Sequence, residues 1–213
     1  MSEALPTVFL VDDDERVLRA LARLLAAAGY AVRTHQSPQA FLAEHDPSVP
    51  GCAVLDLSMP EIDGLAIQAA LAIGPVVRPV IFLTGAGDIP TSVRAMKAGA
   101  VDFLTKPVER DALVAAIERA LAADRAARRT REGGAAASAR LETLTPRERE
   151  VLLHVVAGRQ NKQIAHDLGA SIKTIKVHRG RVMAKMGAQS VIDLVHAAEA
   201  AGIASPIRGG RDL

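Results

Sequence analysis

The 213-residue chain lacks the features that stabilise secreted proteins or anchor membrane proteins. Its one cysteine, Cys52, excludes an internal disulfide, and the apolar neighbours of Cys52 predict a buried thiol without chemical function. No basic leader precedes an apolar segment, and no apolar run approaches the roughly 20 residues that span a bilayer. We therefore expect a cytoplasmic protein that has no membrane partner.

Aromatic residues are scarce, with no tryptophan, one tyrosine and four phenylalanines. Pockets for small organic ligands are usually lined by apolar and aromatic side chains, so this scarcity argues against a large ligand pocket. Charged residues are plentiful but uneven. Residues 1–123 carry 15 acidic and 10 basic side chains, a net charge of −5, whereas residues 124–213 carry 9 and 16, a net charge of +7. This asymmetry predicts two domains, the second of which binds a polyanion.

The acidic half alternates short apolar runs with amphipathic segments. This pattern predicts an α/β fold in which helices cover both faces of a five-stranded parallel sheet. We assign this doubly wound (βα)5 domain to residues 1–123. The predicted strands are 7–11, 31–34, 52–56, 80–84 and 102–105.

The second half begins with a charged segment rich in Gly, Ala and Ser, residues 124–142, which we interpret as a linker that is helical at its start. Residues 143–213 read as an all-α domain of four short helices followed by a tail. Each helix has a predicted N-cap and a following glycine, and a tight turn between the second and third predicts a helix-turn-helix. The predicted N-caps are Thr145, Asn161, Ser171 and Ser190.

Polar residues follow the predicted strands at the edge where an open parallel sheet binds ligands. Asp12 and Asp13 follow the first strand and Asp56 ends the third, while Thr84 ends the fourth and Lys106 follows the fifth. Crowded carboxylates need a cation, and hard oxygen ligands favour Mg²⁺, with Mn²⁺ as a substitute. One carboxylate could then attack phosphorus and form an aspartyl phosphate, while the hydroxyl and the ammonium donate to the phosphoryl oxygens.

Four motifs of the first half resemble those of the CheY-like receiver domain of two-component response regulators. They are V-D-D-D (11–14), L-D-L-S-M-P-E-I-D-G (55–64), T-G-A-G-D (84–88) and K-A-G-A-V-D-F-L-T-K-P (97–107). The motifs occur in the family's order on the expected elements. The resemblance covers about residues 5–123.

This resemblance implies that Asp56 is the phosphoacceptor. It assigns Mg²⁺ binding to Asp12, Asp13 and Asp56, with the backbone carbonyl of Ser58 as a further ligand. The remaining family roles fall on Thr84 as the switch hydroxyl, Phe103 as the switch aromatic, and Lys106 with a cis peptide to Pro107.

The helix predicted from Ser171 has no acidic residue through position 187, which favours contact with DNA phosphates. The motifs L-T-P-R-E-R-E-V-L (144–152), N-K-Q-I-A (161–165) and T-I-K-V-H-R (174–179) resemble the LuxR-type helix-turn-helix of the NarL/FixJ group. By that resemblance Lys176 and Val177 reach base edges. The full set of candidate DNA-binding residues is Lys173, Thr174, Lys176, Val177, Arg179, Lys185, Asn161 and Lys162.

Selective recognition of a promoter favours a dimer that binds two half-sites. By analogy with similar receivers, phosphorylation would pair two subunits through the helix after strand four and strand five, about residues 89–105. The candidate dimer residues are Val93, Arg94, Lys97 and Asp102. The resemblance also implies a sensor histidine kinase and promoter DNA as partners, with RNA polymerase as a further one.

The leading interpretation is a phosphorylation-activated transcription regulator that is not a turnover enzyme. One alternative is a phosphatase of the haloacid dehalogenase type, which needs a second Asp two residues after its nucleophile, where this chain has Ser58. Another is a LuxR-type regulator that senses a small molecule, for which the low aromatic content is unfavourable.

Overall fold

The computed structural model describes residues 5–60, 62–73, 76–85 and 89–203, without the side chains of Ile89 and Pro90. Glu61 and residues 86–88, which belong to the receiver-like motifs, lie outside this part of the chain. The fold divides into two compact units, Met1–Arg128 and Arg129–Leu213. The boundary falls inside the segment that the composition marks as a linker. Among the described residues, no helix combines the length and apolarity that crossing a bilayer requires.

The first unit contains a five-stranded parallel sheet in the order β2-β1-β3-β4-β5. This confirms the predicted doubly wound α/β fold, and two strands are each one residue longer than predicted. The order changes direction between β1 and β3, which opens a crevice at the carboxyl ends of these strands. The strands are β1 (Thr7–Val11), β2 (Ala31–His35), β3 (Gly51–Asp56), β4 (Val80–Thr84) and β5 (Asp102–Thr105).

Helices cover both faces of this sheet: α1 (Glu15–Ala27), α2 (Pro38–Glu44), α3 (Gly64–Ala72), α4 (Ile89–Lys97) and the first part of α5 (Arg110–Glu142). Successive strand residues point to opposite faces, so each strand contributes to two apolar clusters. The cluster under α1 and α5 includes Val8, Leu10, Val54, Leu25, Leu113 and Ile117. The cluster under α2, α3 and α4 includes Phe9, Leu55, Phe82, Phe41, Ile67 and Ala95.

Helix α5 continues to Glu142, so the whole segment 124–142 is helical, whereas we predicted helix only at its start. Its many Ala and Arg residues have high helix propensity, which offsets the cost of Gly133 and Gly134. Gly134 also permits a close approach within the second unit. A Cβ at this position would lie 3.2 Å from the carbonyl oxygen of Ala200.

The second unit contains the end of α5 and four further helices, α6 (Pro146–Val156), α7 (Asn161–Asp167), α8 (Ile172–Met186) and α9 (Val191–Ala200). This confirms the predicted four-helix domain with its helix-turn-helix. One apolar face from each helix forms the core, which includes Val151, Leu152, Ile164, Ile175, Val182 and Leu194.

Side chains of Thr145, Ser171 and Ser190 cap α6, α8 and α9 as predicted. The N-cap of α7 is Gln160 rather than Asn161, since Gln160 has an extended backbone conformation, and the backbone N–H of Gln160 donates to Oε1 of Gln163 at 2.8 Å. Asn161 is therefore the first residue inside the helix.

Candidate functional site

Three carboxylates meet at the carboxyl end of the sheet. Oxygens of Asp12, Asp13 and Asp56 lie within 4.8 Å of one another. The sheet register explains this cluster, because Val11 of β1 pairs with Leu55 of β3 and the residue that follows each of them is an aspartate. Asp12 and Asp56 are buried and Asp13 is exposed, so the cluster forms the wall of a site that is open to solvent.

Lys106 brings an ammonium group into this cluster from the loop after β5. Its Nζ lies 2.5 Å from Oδ2 of Asp12 and 2.9 Å from Oδ1 of Asp56. The backbone N–H of Lys106 donates to the carbonyl of Thr84 at 2.7 Å, and the Lys106–Pro107 peptide is cis as predicted. The loop that carries the lysine is therefore attached to the end of β4.

At this edge of the sheet, burial and hydrogen bonding act in opposite directions on the pKa of Asp56 and on that of Lys106. Burial raises the pKa of Asp56, the negative charges of Asp12 and Asp13 add to this increase, and the hydrogen bond from Lys106 acts against it. Burial alone would lower the pKa of Lys106, but its hydrogen bonds to Asp12 and Asp56 outweigh burial and raise it. Three carboxylates and one ammonium leave a formal charge of −2, which a divalent cation would balance. The oxygen donors suit Mg²⁺ or Mn²⁺.

The other predicted site residues lie near this cluster on the sheet. Thr84 is buried at the end of β4, which pairs with β3 through Leu83 and Asp56. Phe103 of β5 is half-buried and packs against the cluster under α2, α3 and α4. Ser58 is exposed two residues after Asp56, and a haloacid-dehalogenase phosphatase would need an acidic group at that position.

The predicted dimer residues have mixed environments. Val93, Arg94 and Lys97 of α4 are exposed, and Arg94 donates to the hydroxyl of Thr91 at 3.2 Å. Asp102 forms an ion pair with Arg119 of α5 and accepts the backbone N–H of Phe103 at 2.8 Å. The intramolecular bonds of Asp102 could not be recognised from the sequence.

In the second unit, α8 presents the basic surface that the sequence predicts. Lys173, Thr174, Lys176 and Val177 are exposed, whereas Ile175, Val182 and Met186 are buried on the opposite face. The turn before α8 contains Gly169 at φ 59°, a left-handed conformation that favours glycine. Arg147 of α6 donates to the carbonyl of Leu168 at 2.5 Å and attaches this turn to the domain, a contact between residues 21 positions apart that the sequence pattern does not reveal.

Two further candidate residues are attached to neighbouring helices. Arg179 of α8 donates to Oδ1 of Asn161 at 2.9 Å, which joins the two members of the helix-turn-helix, and Lys162 beside Asn161 is exposed. Lys185 differs from the other candidates, because its Nζ donates to Oε2 of Glu148 at 2.6 Å and to the carbonyl of Thr143 at 2.9 Å.

Glu148 is almost completely buried, and it also accepts the backbone N–H of Thr145 at 2.9 Å. The hydrogen bond from Lys185, together with the N–H of Thr145, lowers the pKa of Glu148 to about 2. Lys185 therefore holds α8 against the start of α6. We predicted Lys185 as a DNA-binding residue from the family resemblance, and its partner 37 positions earlier leaves no local signal in the sequence.

Comparisons with known proteins agree with both halves. Residues 8–118 match the family described as response regulator receiver domain, and residues 142–198 match the bacterial regulatory proteins of the luxR family. The transcriptional regulatory protein FixJ of Rhizobium meliloti is 47% identical over 196 residues, 92% of this chain and 96% of that protein. The response regulator protein TodT of Pseudomonas putida is 40% identical over 200 residues, 93% of this chain and 88% of that protein.

Solved structures give the same result. The response regulator StyR is 44% identical, with a TM-score of 0.80 over 92% of this chain and 99% of that one. Full-length FixJ from B. japonicum is 39% identical, with a TM-score of 0.57 over 93% and 98%. The chain belongs to the response regulators of the NarL/FixJ group and is a DNA-binding transcription regulator built from a receiver domain and a luxR-type helix-turn-helix domain.

Proposed function

We propose that Asp56 accepts a phosphoryl group from the histidine of a sensor kinase and that this modification activates DNA binding. The position of Asp56 supports this assignment, because a partly accessible acidic cluster surrounds it and the Lys106 ammonium lies 2.9 Å from its carboxylate. In the transfer, an Oδ of Asp56 forms a bond to phosphorus while the bond from phosphorus to the kinase histidine nitrogen breaks. The electron pair of the broken bond stays on that nitrogen. Lys106 balances negative charge on the transferred group.

The carboxylates of Asp12, Asp13 and Asp56, with the backbone carbonyl of Ser58, would hold Mg²⁺, and Mn²⁺ could replace it. The bound cation would neutralise charge on the carboxylates and the phosphoryl oxygens. Burial of Asp12 and Asp56 strengthens the attraction of the cluster for a divalent ion, since solvent screens buried charges less than exposed ones.

Thr84 and Phe103 would change position when Asp56 is phosphorylated and would alter the surface of α4 and β5. Val93, Arg94, Lys97 and Asp102 would then form the face through which two subunits pair. Val93 and Lys97 are four residues apart on α4 and both are exposed, so they lie on one accessible face.

In the DNA-binding domain, α8 would enter the major groove with Lys176 and Val177 at base edges. Phosphate contacts would come from Lys173, Thr174, Arg179, Asn161 and Lys162. Lys185 would stabilise the domain instead, because Glu148 and Thr143 already bond its ammonium. The protein would act in the cytoplasm, contact RNA polymerase at its promoters, and catalyse at most its own dephosphorylation.

The test uses acetyl phosphate as phosphoryl donor with Mg²⁺ and intact-protein mass spectrometry. We expect one phosphoryl group on the wild-type chain, none on Asp56→Asn, and none on the wild type after chelation of the metal. Asp63→Asn is the matched control, because Asp63 is exposed and caps α3 through Ala66 N–H, which Asn can also do. Equal labelling of Asp56→Asn and wild type would refute the assignment.

A further inference from the structure

After its last apolar core residue, α5 remains attached to the receiver through a buried ionic network. The last apolar core residue of α5 in this unit is Leu121, and the side chains at 122, 123, 125, 126 and 127 are exposed. Asp124 is 1% exposed and Arg128 is largely buried. These two side chains, one helical turn apart, extend the contact of α5 with the receiver by about 10 Å past Leu121.

Asp124 and Arg128 bind the loop between α2 and β3. Oδ2 of Asp124 accepts the backbone N–H of Gly51 at 2.9 Å and the Nε–H of Arg128 at 2.8 Å. The guanidinium of Arg128 donates to the carbonyls of Ser48 at 3.0 Å and of Pro47 and Val49 at 2.9 Å each. One planar side chain thus holds three consecutive carbonyls of the loop.

A second arginine, Arg78, binds the same loop. Arg78 is 2% exposed, donates to the carbonyls of Asp46 at 2.9 Å and Val49 at 3.1 Å, and lies 4.4 Å from the ring centre of Phe9. We call the set of Arg78, Asp124 and Arg128, with the loop 46–51 that they bind, the α5 anchor.

Burying the charged groups of the α5 anchor has a large desolvation penalty, so a gain in stability does not explain them. Burial lowers the pKa of Arg78 to about 10. Nε and Nη1 of Arg78 and Oδ1 of Asp124 are buried and have no hydrogen-bond partner among the described residues. Replacing buried ionic groups by apolar ones of similar volume is often neutral or stabilising. Hydrogen bonds are directional, so the network fixes the position and orientation of residues 124–128 relative to the loop. An apolar contact would not do this.

We propose that the α5 anchor fixes the position of α5 and that phosphorylation of Asp56 changes DNA affinity only while α5 is fixed in this way. This rests on the proposed function, because it concerns how the state of Asp56 affects the DNA-binding domain. The anchor holds the first residue of β3, the strand that ends at Asp56, and it holds α5, the helix that runs on to Glu142. Loss of the anchor leaves the phosphorylation site intact and frees α5 from Asp124 onward.

The test compares Arg128→Ala, Arg128→Lys and Arg129→Ala in the full-length chain. Lysine keeps the charge of Arg128 but cannot form the planar fan of bonds to three carbonyls and Asp124. Arg129 is exposed and carries the same charge on the next residue, so Arg129→Ala is the control. The DNA probe is a labelled duplex selected from a random library by the phosphorylated wild-type protein.

Three quantities are measured: phosphorylation by acetyl phosphate, the ratio of DNA affinities with and without phosphorylation, and amide hydrogen exchange at 46–51 and 122–128. We expect Arg128→Ala to keep wild-type phosphorylation, to exchange faster in both segments, and to lose about five-fold or more of the affinity ratio. Arg128→Lys should change in the same direction by a smaller factor, and it decides the question if Arg128→Ala does not fold. Arg129→Ala should match wild type.

Two results would overturn the proposal. One is faster exchange in an Arg128 variant that keeps the wild-type affinity ratio, and the other is unchanged exchange in both segments. Failure of the proposed function has a different signature, because the wild-type chain itself would then show no phosphorylation or no gain in DNA affinity.

Discussion

Replacing Lys185 by methionine should destabilise the DNA-binding domain and leave the number of its contacts with DNA phosphates unchanged. Lys185 Nζ lies 2.6 Å from Oε2 of Glu148, whose side chain is 3% exposed. Methionine keeps an unbranched side chain that is one atom shorter than that of lysine, and it removes the charge. The carboxylate of Glu148 would then be buried with the backbone N–H and the side chain of Thr145 as partners but without a counter-charge, and removing one partner of a buried ion pair is strongly destabilising.

The magnitude follows from the pKa of Glu148. Its change from 4.5 to about 2 corresponds to about 3 kcal/mol of stabilisation of the charged form. A hydrogen bond to a charged group contributes about 1.5–3 kcal/mol, and the side chain of Lys185 is partly exposed, so we expect a coupling energy of about 2 kcal/mol between Lys185 and Glu148.

The lowered pKa of Glu148 also makes the stability of the DNA-binding domain depend on pH. Because folding lowers the pKa of Glu148, its contribution is complete above about pH 4.5 and is lost as the pH falls towards about 2. Lys185→Met should therefore lose less stability relative to wild type near pH 3 than at pH 7.

The assay must report on the second unit alone. The chain has no tryptophan and its one tyrosine, Tyr30, lies in the receiver, so intrinsic fluorescence does not follow unfolding of the DNA-binding domain. Amide hydrogen exchange of peptides from α6 and α8 across a urea series measures the free energy of unfolding of this domain. Wild type, Lys185→Met, Glu148→Gln and the double variant form a double-mutant cycle.

Lys173→Met is the matched control, because Lys173 is exposed on the same helix. It should leave stability within about 0.5 kcal/mol of wild type and should reduce the slope of log affinity against log salt by about one. Lys185→Met should show the reverse, with lower stability and an unchanged slope. A coupling energy near zero in the cycle, or a reduced salt slope for Lys185→Met, would refute the structural role of Lys185.

Three further substitutions test other features. Lys176→Glu should abolish DNA binding measured by fluorescence anisotropy without reducing phosphorylation by acetyl phosphate, and loss of both would indicate misfolding instead of a lost DNA contact. Gly51→Ala should destabilise the receiver by about 2 kcal/mol or more, because its Cβ would lie 1.9 Å from the carbonyl oxygen of Thr7 and Gly51 has φ 150°. Gly85→Ala is the control in thermal unfolding, because among the described residues no atom lies within 4 Å of a Cβ at that position. Gly180→Ala should stabilise α8 by about 0.5–1 kcal/mol in the hydrogen-exchange assay, since Ala is the better helix former and no atom of the described residues lies within 4 Å of a Cβ at this position. Unchanged protection of α8 would contradict this.

Much of the fold could be predicted because its signals are local. Alternating apolar runs locate the strands to within one residue, and serine and threonine caps locate the starts of α6, α8 and α9. The predicted N-cap of α7, Asn161, was wrong by one residue, because Gln160 is an unusual N-cap whose bond to Gln163 has no strong sequence signature. The length of α5 was underestimated because Gly133 and Gly134 resemble linker residues, yet both lie inside the helix.

The candidate phosphorylation site could also be predicted, since parallel strands bring their carboxyl ends to one edge and the residue after each strand is visible in the sequence. Asp12, Asp56 and Lys106 therefore meet where their strand positions require. A basic, acid-free α8 likewise predicts an exposed positive face.

Ion pairs between distant segments could be identified only from the tertiary structure. The sequence alone determines the two domains, the order of their elements and the residues at the sheet edge, because periodicity, caps and strand ends act over a few residues. Only the folded chain pairs Lys185 with Glu148, Asp102 with Arg119, and Arg128 with carbonyls about 80 positions earlier. A charged side chain has several oppositely charged candidates in the sequence, and the packing of helices and loops decides which one lies within hydrogen-bonding distance.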